Sequence, residues 1–237
     1  MLNQYSRLEM LIGEDKLKQI NEKRIIVFGL GGVGGNCVEA LVRSGIKHLD
    51  LVDNDVISLT NINRQLIATH RDIGRKKTEV MKERVLSICP DATVDCHDIF
   101  YLKDDERIDL GNYDYVIDCI DTVTAKINLI TKCQELAVPI ICAMGTGNKL
   151  DPSMLTITDI YKTEYDPLAK IMRHELRKRG IRKLTVVYSK EKPLKAKPNA
   201  AIIKETAKRS VPGSSAFVPP AAGIMIASKV IRDLLAD

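Results

Sequence analysis

The chain has 237 residues, of which 45% are hydrophobic and 28% charged, with a formal net charge of +5. That length and apolar content suit one domain of moderate size, or one domain with an appended lobe, with enough core to fold. No window holds eighteen uninterrupted apolar residues, and residues 1–24 carry charges throughout, so neither a spanning helix nor a secretion signal is expected and the reading is cytoplasmic.

Residues 1–22 read as helical, with Leu8, Leu11 and Ile12 on one face and Leu17 and Ile20 continuing it. Arg7 precedes that pattern and has no evident partner within the chain. Residues 24–45, RIIVFGLGGVGGNCVEALVRSG, come next. Ile25, Ile26 and Val27 form a β-branched run, Gly29, Gly31, Gly32, Gly34 and Gly35 a turn, and Val33, Cys37, Val38, Leu41 and Val42 recur at helical spacing. A strand, a glycine turn and a helix in that order open a Rossmann-like unit, whose amides and helix N-terminus face a phosphate. Such a turn serves NAD and FAD as readily as ATP. Residues 48–53, HLDLVD, read as a second strand. Asp53 falls 19 positions after Gly34, where a Rossmann unit places an acid to bond ribose hydroxyls.

Asn61 and Asn63 are turn formers, and a short helical turn is expected over 61–68. A helix opened by Gly74 carries Val80, Met81, Val85 and Ile88 inward and ends at Pro90. Residues 92–99 and 113–121 read as the third and fourth strands, with Asp118 and Asp121 at the C-terminal end of the latter. A helix over about 123–136 leads to a buried strand at 138–145. The alternation predicts an α/β fold, a Rossmann-like and mostly parallel sheet with helices on both faces. Ligands of such sheets sit at the carboxyl ends of the strands, where Gly31, Asp53 and Asp121 fall.

After Gly147 the rhythm changes. Residues 154–160 and 183–189 alternate as strands of a half-buried sheet, a C-terminal antiparallel portion, with a basic helix at about 167–179 between them. Residues 190–215 read as a mobile loop and 221–235 as a buried helix. The whole is expected as a single unit, 1–237, with a nucleotide-binding core at 1–147 and a basic, substrate-facing part at 148–237.

The six cysteines form no C-x-x-C pair, which argues against a structural zinc site and against a disulfide framework. Charge is uneven: residues 170–209 hold 14 Lys and Arg against Glu175, Glu191 and Glu205, a local balance of +11, while the remainder stands at −6. That segment suits a polyanionic partner, and equally a solvated surface loop.

Arg64, Lys77 and Asp121 each fall just past a strand end or at a helix opening. Two cations beside a glycine turn suit a nucleotide with several phosphates, and an acid can hold Mg²⁺. Taken singly, Arg64 reads as a surface salt bridge, Lys77 as one of a basic cluster and Asp118 as a strand cap. Their joint placement favours the phosphate site.

The runs GLGGVGG, LVDNDVISLTNINRQ, IGRKKTEV and DYVIDCID, in that order, resemble the ThiF/MoeB superfamily of E1-like adenylating enzymes. The resemblance implies that Gly29, Gly31, Gly32 and Gly34 hold ATP phosphates, that Asp53 bonds the ribose, and that Asn61, Arg64 and Lys77 contact phosphates. It implies that Asp121 organises magnesium, and that Arg7 is donated across a homodimer to the partner's ATP. Lys126 stands where the superfamily often has arginine. The implied reaction is attack of a substrate carboxylate on the α-phosphorus of ATP, with Arg64, Lys77, the turn amides and Mg²⁺ stabilising the charge that builds.

The later part, DPLAKIMRHELRKRG with the basic stretch and GSSAFVPPAAGIMIASKVI, resembles the tRNA threonylcarbamoyladenosine dehydratase branch. There the threonyl carboxylate of a modified adenosine is adenylated and a ring closes with loss of AMP. The 170–209 segment would then hold the anticodon-loop backbone. Two other readings stay open: an adenylyltransferase acting on the C-terminus of a sulfur-carrier or ubiquitin-like protein, and an ATP-sensing scaffold without turnover.

Overall fold

The structure is a computed structural model that describes residues 2–102, 107–197, 199–201 and 211–236. Its centre is a seven-stranded sheet, built from β1 (Arg24–Phe28), β2 (His48–Val52), β3 (Thr93–His97), β4 (Tyr115–Asp118), β5 (Ile140–Ala143), β6 (Leu155–Asp159) and β7 (Thr185–Ser189). The strand order is β3-β2-β1-β4-β5-β7-β6. All neighbours run parallel except the edge pair β6 and β7. The order reverses between β1 and β4, the switch point at which ligands of such sheets bind, outside the carboxyl ends of the strands.

β1, β4 and β5 are buried along almost their whole length because helices cover both faces of the sheet. On one face lie α1 (Ser6–Ile12), α2 (Glu14–Asn21), α3 (Gly34–Arg43), α4 (Lys77–Ile88) and α7 (Val218–Leu234). On the other lie α5 (Val123–Glu135) and α6 (Pro167–Lys178).

The N-terminal region departs from its reading as one helical face. Gly13, at φ 86°, ends α1 and starts α2 in a new direction. Leu17 and Ile20 enter the core, whereas Leu11 stays 82% exposed. The C-terminal strands also differ in detail. β7 pairs parallel with β5 and is buried beyond its first residue, so it continues the main sheet. Only β6 is antiparallel, and its residues are mostly half-buried. The final helix begins three residues before its expected start, with Pro219 and Pro220 accommodated in its first turn, where the missing N–H groups cost nothing. Of the expected loop at 190–215, Pro198 and residues 202–210 lie outside the described residues.

Candidate active site

The glycine turn joins β1 to α3. Gly29 takes φ 88°, and a Cβ there would stand 2.8 Å from the Cys119 carbonyl oxygen. At Gly34 a Cβ would meet the Gly29 carbonyl oxygen at 1.8 Å. Neither position admits a side chain, so the turn folds on itself and lies against the peptide that leaves β4. That contact fixes Asp121, two residues past Cys119, at the same mouth. Asp121 is exposed there, and the Thr122 hydroxyl donates to its Oδ1 at 3.4 Å.

Asp53 follows β2. Its Oδ2 accepts from the Leu30 amide at 2.7 Å and its Oδ1 from the Asp55 amide at 2.8 Å, which ties the turn to the strand end. A carboxylate offers about four lone-pair sites, so capacity for two ribose hydroxyls remains. Burial raises the Asp53 pKa; the Lys77 ammonium and the two amides oppose that shift without reversing it. Lys77 is itself buried, at the first residue of α4, with Nζ 3.8 Å from Asp53 and 2.7 Å from Asp55. It is the buried member of its basic cluster. Arg75 instead pairs with Asp72 and Glu83, and Lys76 with Asp98.

Arg64 leans over the turn, its Cγ 3.3 Å from where a Cβ on Gly32 would lie. One guanidinium nitrogen donates to the Thr60 carbonyl at 2.9 Å and to Asn63 Oδ1 at 3.0 Å. No carboxylate pairs with it among the described residues, and burial alone lowers its pKa. A half-buried cation left without an anion is what a phosphate site requires before its ligand arrives. Asn61 uses Oδ1 to accept from the Ser58 amide at 3.1 Å, which leaves its Nδ2 for a ligand. Gly29, Gly31, Gly32, Gly34, Asp53, Arg64 and Lys77 therefore lie together at the glycine turn, with Asp121 just past β4 beside it, and Asn61 is linked to them through its carbonyl, which accepts the Arg64 amide at 3.1 Å.

Arg7 does not join them. The Tyr5 hydroxyl donates to the Val42 carbonyl at 3.0 Å and docks the start of α1 at the far end of α3. The ten residues of α3 put that end roughly 15 Å from the glycine turn. Arg7 is exposed and makes no polar contact with another described residue.

Lys126 has a definite place. It is fully buried in the first turn of α5, with Nζ 2.9 Å from Asp118 Oδ2 and donating to the Ile120 carbonyl at 3.0 Å. The pair is close but not aligned as a hydrogen bond, since Asp118 Oδ2 has no hydrogen-bond partner among the described residues. Burial works against the ammonium, but Asp118 and the neighbouring thiols outweigh it and raise the pKa. Lys126 so pins the Cys119–Asp121 peptide. Burial, with the charge of Asp118, pushes the Cys119 thiol up to about 12, which leaves no thiolate beside the turn at neutral pH.

Four further positions support the site without having been marked in the sequence. Gln65, buried and with Oε1 unbonded to any described residue, places Nε2 3.8 Å from where a Cβ on Gly31 would lie. Asn148, at φ 58°, accepts the Gly213 amide on Oδ1 and the Leu194 amide on its carbonyl, both at 2.7 Å. It thereby clamps both flanks of the basic stretch to the end of β5. Lys149, buried, reaches Asp166 at 3.3 Å and the carbonyls of Gly145 and Ser189 at 2.9 and 3.2 Å. Gly223 brings α7 so close that a Cβ would meet the Val33 carbonyl at 2.2 Å.

Residues 5–236 match the sequence profile of the ThiF family. The chain is 39% identical over 253 aligned positions to a tRNA threonylcarbamoyladenosine dehydratase of Bacillus subtilis (strain 168), covering 100% of this chain and 96% of that one. Among solved structures it resembles the Escherichia coli tRNA N6-threonylcarbamoyladenosine dehydratase in complex with AMP, with a TM-score of 0.88 and 31% identity over 98% of this chain and 94% of that one. The ATP complex of the same E. coli enzyme superposes with a TM-score of 0.87.

Proposed function

Because the chain belongs to the ThiF family, matched from residue 5 to 236, we propose that it uses ATP to adenylate a carboxylate, namely the threonyl carboxylate of N6-threonylcarbamoyladenosine in tRNA, and then closes that group into a ring. The observation that carries the adenylation is Arg64: a half-buried guanidinium, unpaired with any described carboxylate, leaning over the glycine turn. The substrate reading is supported by the dehydratases that this chain resembles over nearly their full length. We read 1–237 as a single adenylating unit, with 1–147 binding nucleotide and 148–237 facing substrate, acting in the cytoplasm on tRNA.

A substrate carboxylate oxygen attacks the α-phosphorus, pyrophosphate leaves, and an acyl-adenylate forms. Negative charge grows on the phosphate oxygens in that step. Arg64, Lys77, the Asn61 amide and the turn N–H groups meet it with donors already in place. Asp53 holds the ribose. A nitrogen or oxygen of the neighbouring urea then displaces AMP from the acyl carbon, and the net change in the nucleoside is loss of one water. No protein nucleophile enters, in accord with a protonated Cys119.

Asp121 suits Mg²⁺. That ion is usually held by one or two carboxylates together with substrate phosphates, and a single exposed acid at the crevice mouth fits that donor set. No group of three or more His, Cys, Asp or Glu among the described residues forms an independent metal cage. When bound, Mg²⁺ would neutralise phosphate charge and orient the leaving pyrophosphate.

Pyrophosphate release measured with modified tRNA, unmodified tRNA and a sulfur-carrier protein tests the proposal. Release only with modified tRNA is the expected result. Stimulation by the carrier protein alone would replace the substrate, and the absence of release with any of the three would remove the enzyme.

A further inference from the structure

Helix α6 carries more positive charge than its own fold uses. Glu175 satisfies two of its cations, accepting from Lys178 at 2.7 Å and Arg179 at 2.9 Å, and Arg173 donates to the Thr163 carbonyl at 3.0 Å. Lys170 and Arg177, seven residues apart and so on one face of the helix, are exposed and have no anionic partner among the described residues. Arg182, just past the helix, is exposed and unpaired in the same way.

Arg177 and Arg182 border a shallow cleft of about 490 Å³, lined also by Tyr161, Gly180 and Ile181. The Arg177 guanidinium lies over the Tyr161 ring, 5.1 Å from its centre. The Tyr161 hydroxyl donates to the Ile181 carbonyl and holds the ring as the floor of the cleft. Gly180, at φ 71° with open space beside it, keeps one wall low.

The cleft is at the other end of the sheet from the nucleotide crevice. Asp166, which caps the start of α6, touches Gly145 just past the carboxyl end of β5. The helix then runs back, and Gly180 and Ile181 lead into Thr185, the first residue of β7, which pairs with Ile141 of β5. Twelve helical residues and the strand spacings between β1 and β7 put the cleft roughly 20 Å from the glycine turn. A mononucleotide held at the turn does not span that distance, whereas a polyanion does.

We infer that the exposed face of α6, from Lys170 through the Arg177–Tyr161 cleft to Arg182, is a second RNA contact, which grips backbone phosphates of the anticodon stem while the modified loop nucleoside enters the crevice. The inference rests on the tRNA reading above. Guanidinium groups are weakly hydrated, planar donors suited to phosphate, and a ring beneath one holds it ready without consuming its donors. Contacts of this kind set the position of a stem and do not read its sequence.

The test is tRNA binding by fluorescence anisotropy across a series of KCl concentrations, for wild type, for Arg177→Glu/Arg182→Glu, and for the charge-matched Lys16→Glu/Lys82→Glu on the opposite helical layer. The first double variant is expected to weaken tRNA binding by more than about tenfold and to flatten the salt slope by between one and two, with the affinity for ATP unchanged. The second is expected to leave both quantities near wild type. Equal losses in the two double variants, or an unchanged slope in the first, would overturn the inference. If wild type itself fails to bind tRNA or to respond to it, the substrate reading falls instead, and that outcome is visible before any variant is made.

Discussion

Arg64 and Lys77 share one expected role, contact with the phosphates, yet they are built differently, and their variants should separate. Arg64 has no carboxylate partner among the described residues to leave behind, so Arg64→Ala should lower pyrophosphate release by at least about a hundredfold while the melting temperature moves by less than about 3 °C. Lys77 is buried against Asp53 and Asp55. Lys77→Ala should lose comparable activity and also destabilise the protein by about 1–3 kcal/mol, because Asp53 keeps its burial and loses its nearest cation. Calorimetric melting beside the activity assay distinguishes the two patterns; an Arg64→Ala protein that melted as early as Lys77→Ala would show that Arg64 holds the fold.

Asp53 adds a pH signature. Its folded pKa lies above the ordinary 3.8, chiefly through burial, so it takes up its proton at a higher pH than a free aspartate. A protonated Asp53 accepts ribose hydroxyls poorly. The affinity for an ATP analogue should therefore fall as the pH is lowered towards 3.8 from above. Asp53→Asn should bind more weakly near neutrality and lack that component of the pH dependence. Parallel isothermal titrations between about pH 4 and 7 measure this, and identical pH profiles would contradict it.

At the scale of elements, the positions that sequence placed well are those where chemistry and local pattern coincide. The glycine turn, the acid after β2 and the acid past β4 are set by short segments, and each falls at the expected edge. The positions it missed, or left without a role, depend on long-range packing. Lys126 is marked in the sequence only as standing where the superfamily often has arginine, and its role is set when α5 docks on β4 and closes it in with Asp118. Asn148 resembles a loop residue until the chain returns at Leu194 and Gly213 to be held there. The place of β7 beside β5 was equally hidden, since alternation gives a strand but not its neighbour or direction.

Lys126 permits a sharp prediction at this scale. Lys126→Met keeps much of the side-chain volume but strands the buried Asp118 carboxylate, at a cost of about 3–5 kcal/mol and a fall in melting temperature of about 10 °C. Adding Asp118→Asn to that variant should restore a substantial part of the loss, which a double-mutant cycle reads directly. Additive losses would mean that the two residues do not stabilise one another.

The whole molecule leaves an apolar surface at its N-terminus. Leu2, Met10 and Leu11 are 95%, 86% and 82% exposed, on and next to the helix that carries Arg7, which has no polar partner among the described residues. Large apolar side chains left exposed close together in the chain suit a contact, and Arg7 is held too far from its own glycine turn to serve it. Both facts are met if two copies associate through α1 and each lends Arg7 to the other's nucleotide. Random mixing of Arg7→Ala and Asp121→Ala subunits then makes half of the dimers hybrid, and each hybrid contains one complete crevice. About a quarter of wild-type activity should return from two preparations that are each nearly inactive. Recovery requires subunit exchange, which gel filtration of a tagged and an untagged wild-type protein verifies independently. Leu11→Glu should weaken the dimer in sedimentation and lower turnover in proportion to the monomer formed. If exchange is demonstrated and the mixture stays inactive, Arg7 acts within its own chain or not at all, and the exposed apolar residues of α1 need another partner.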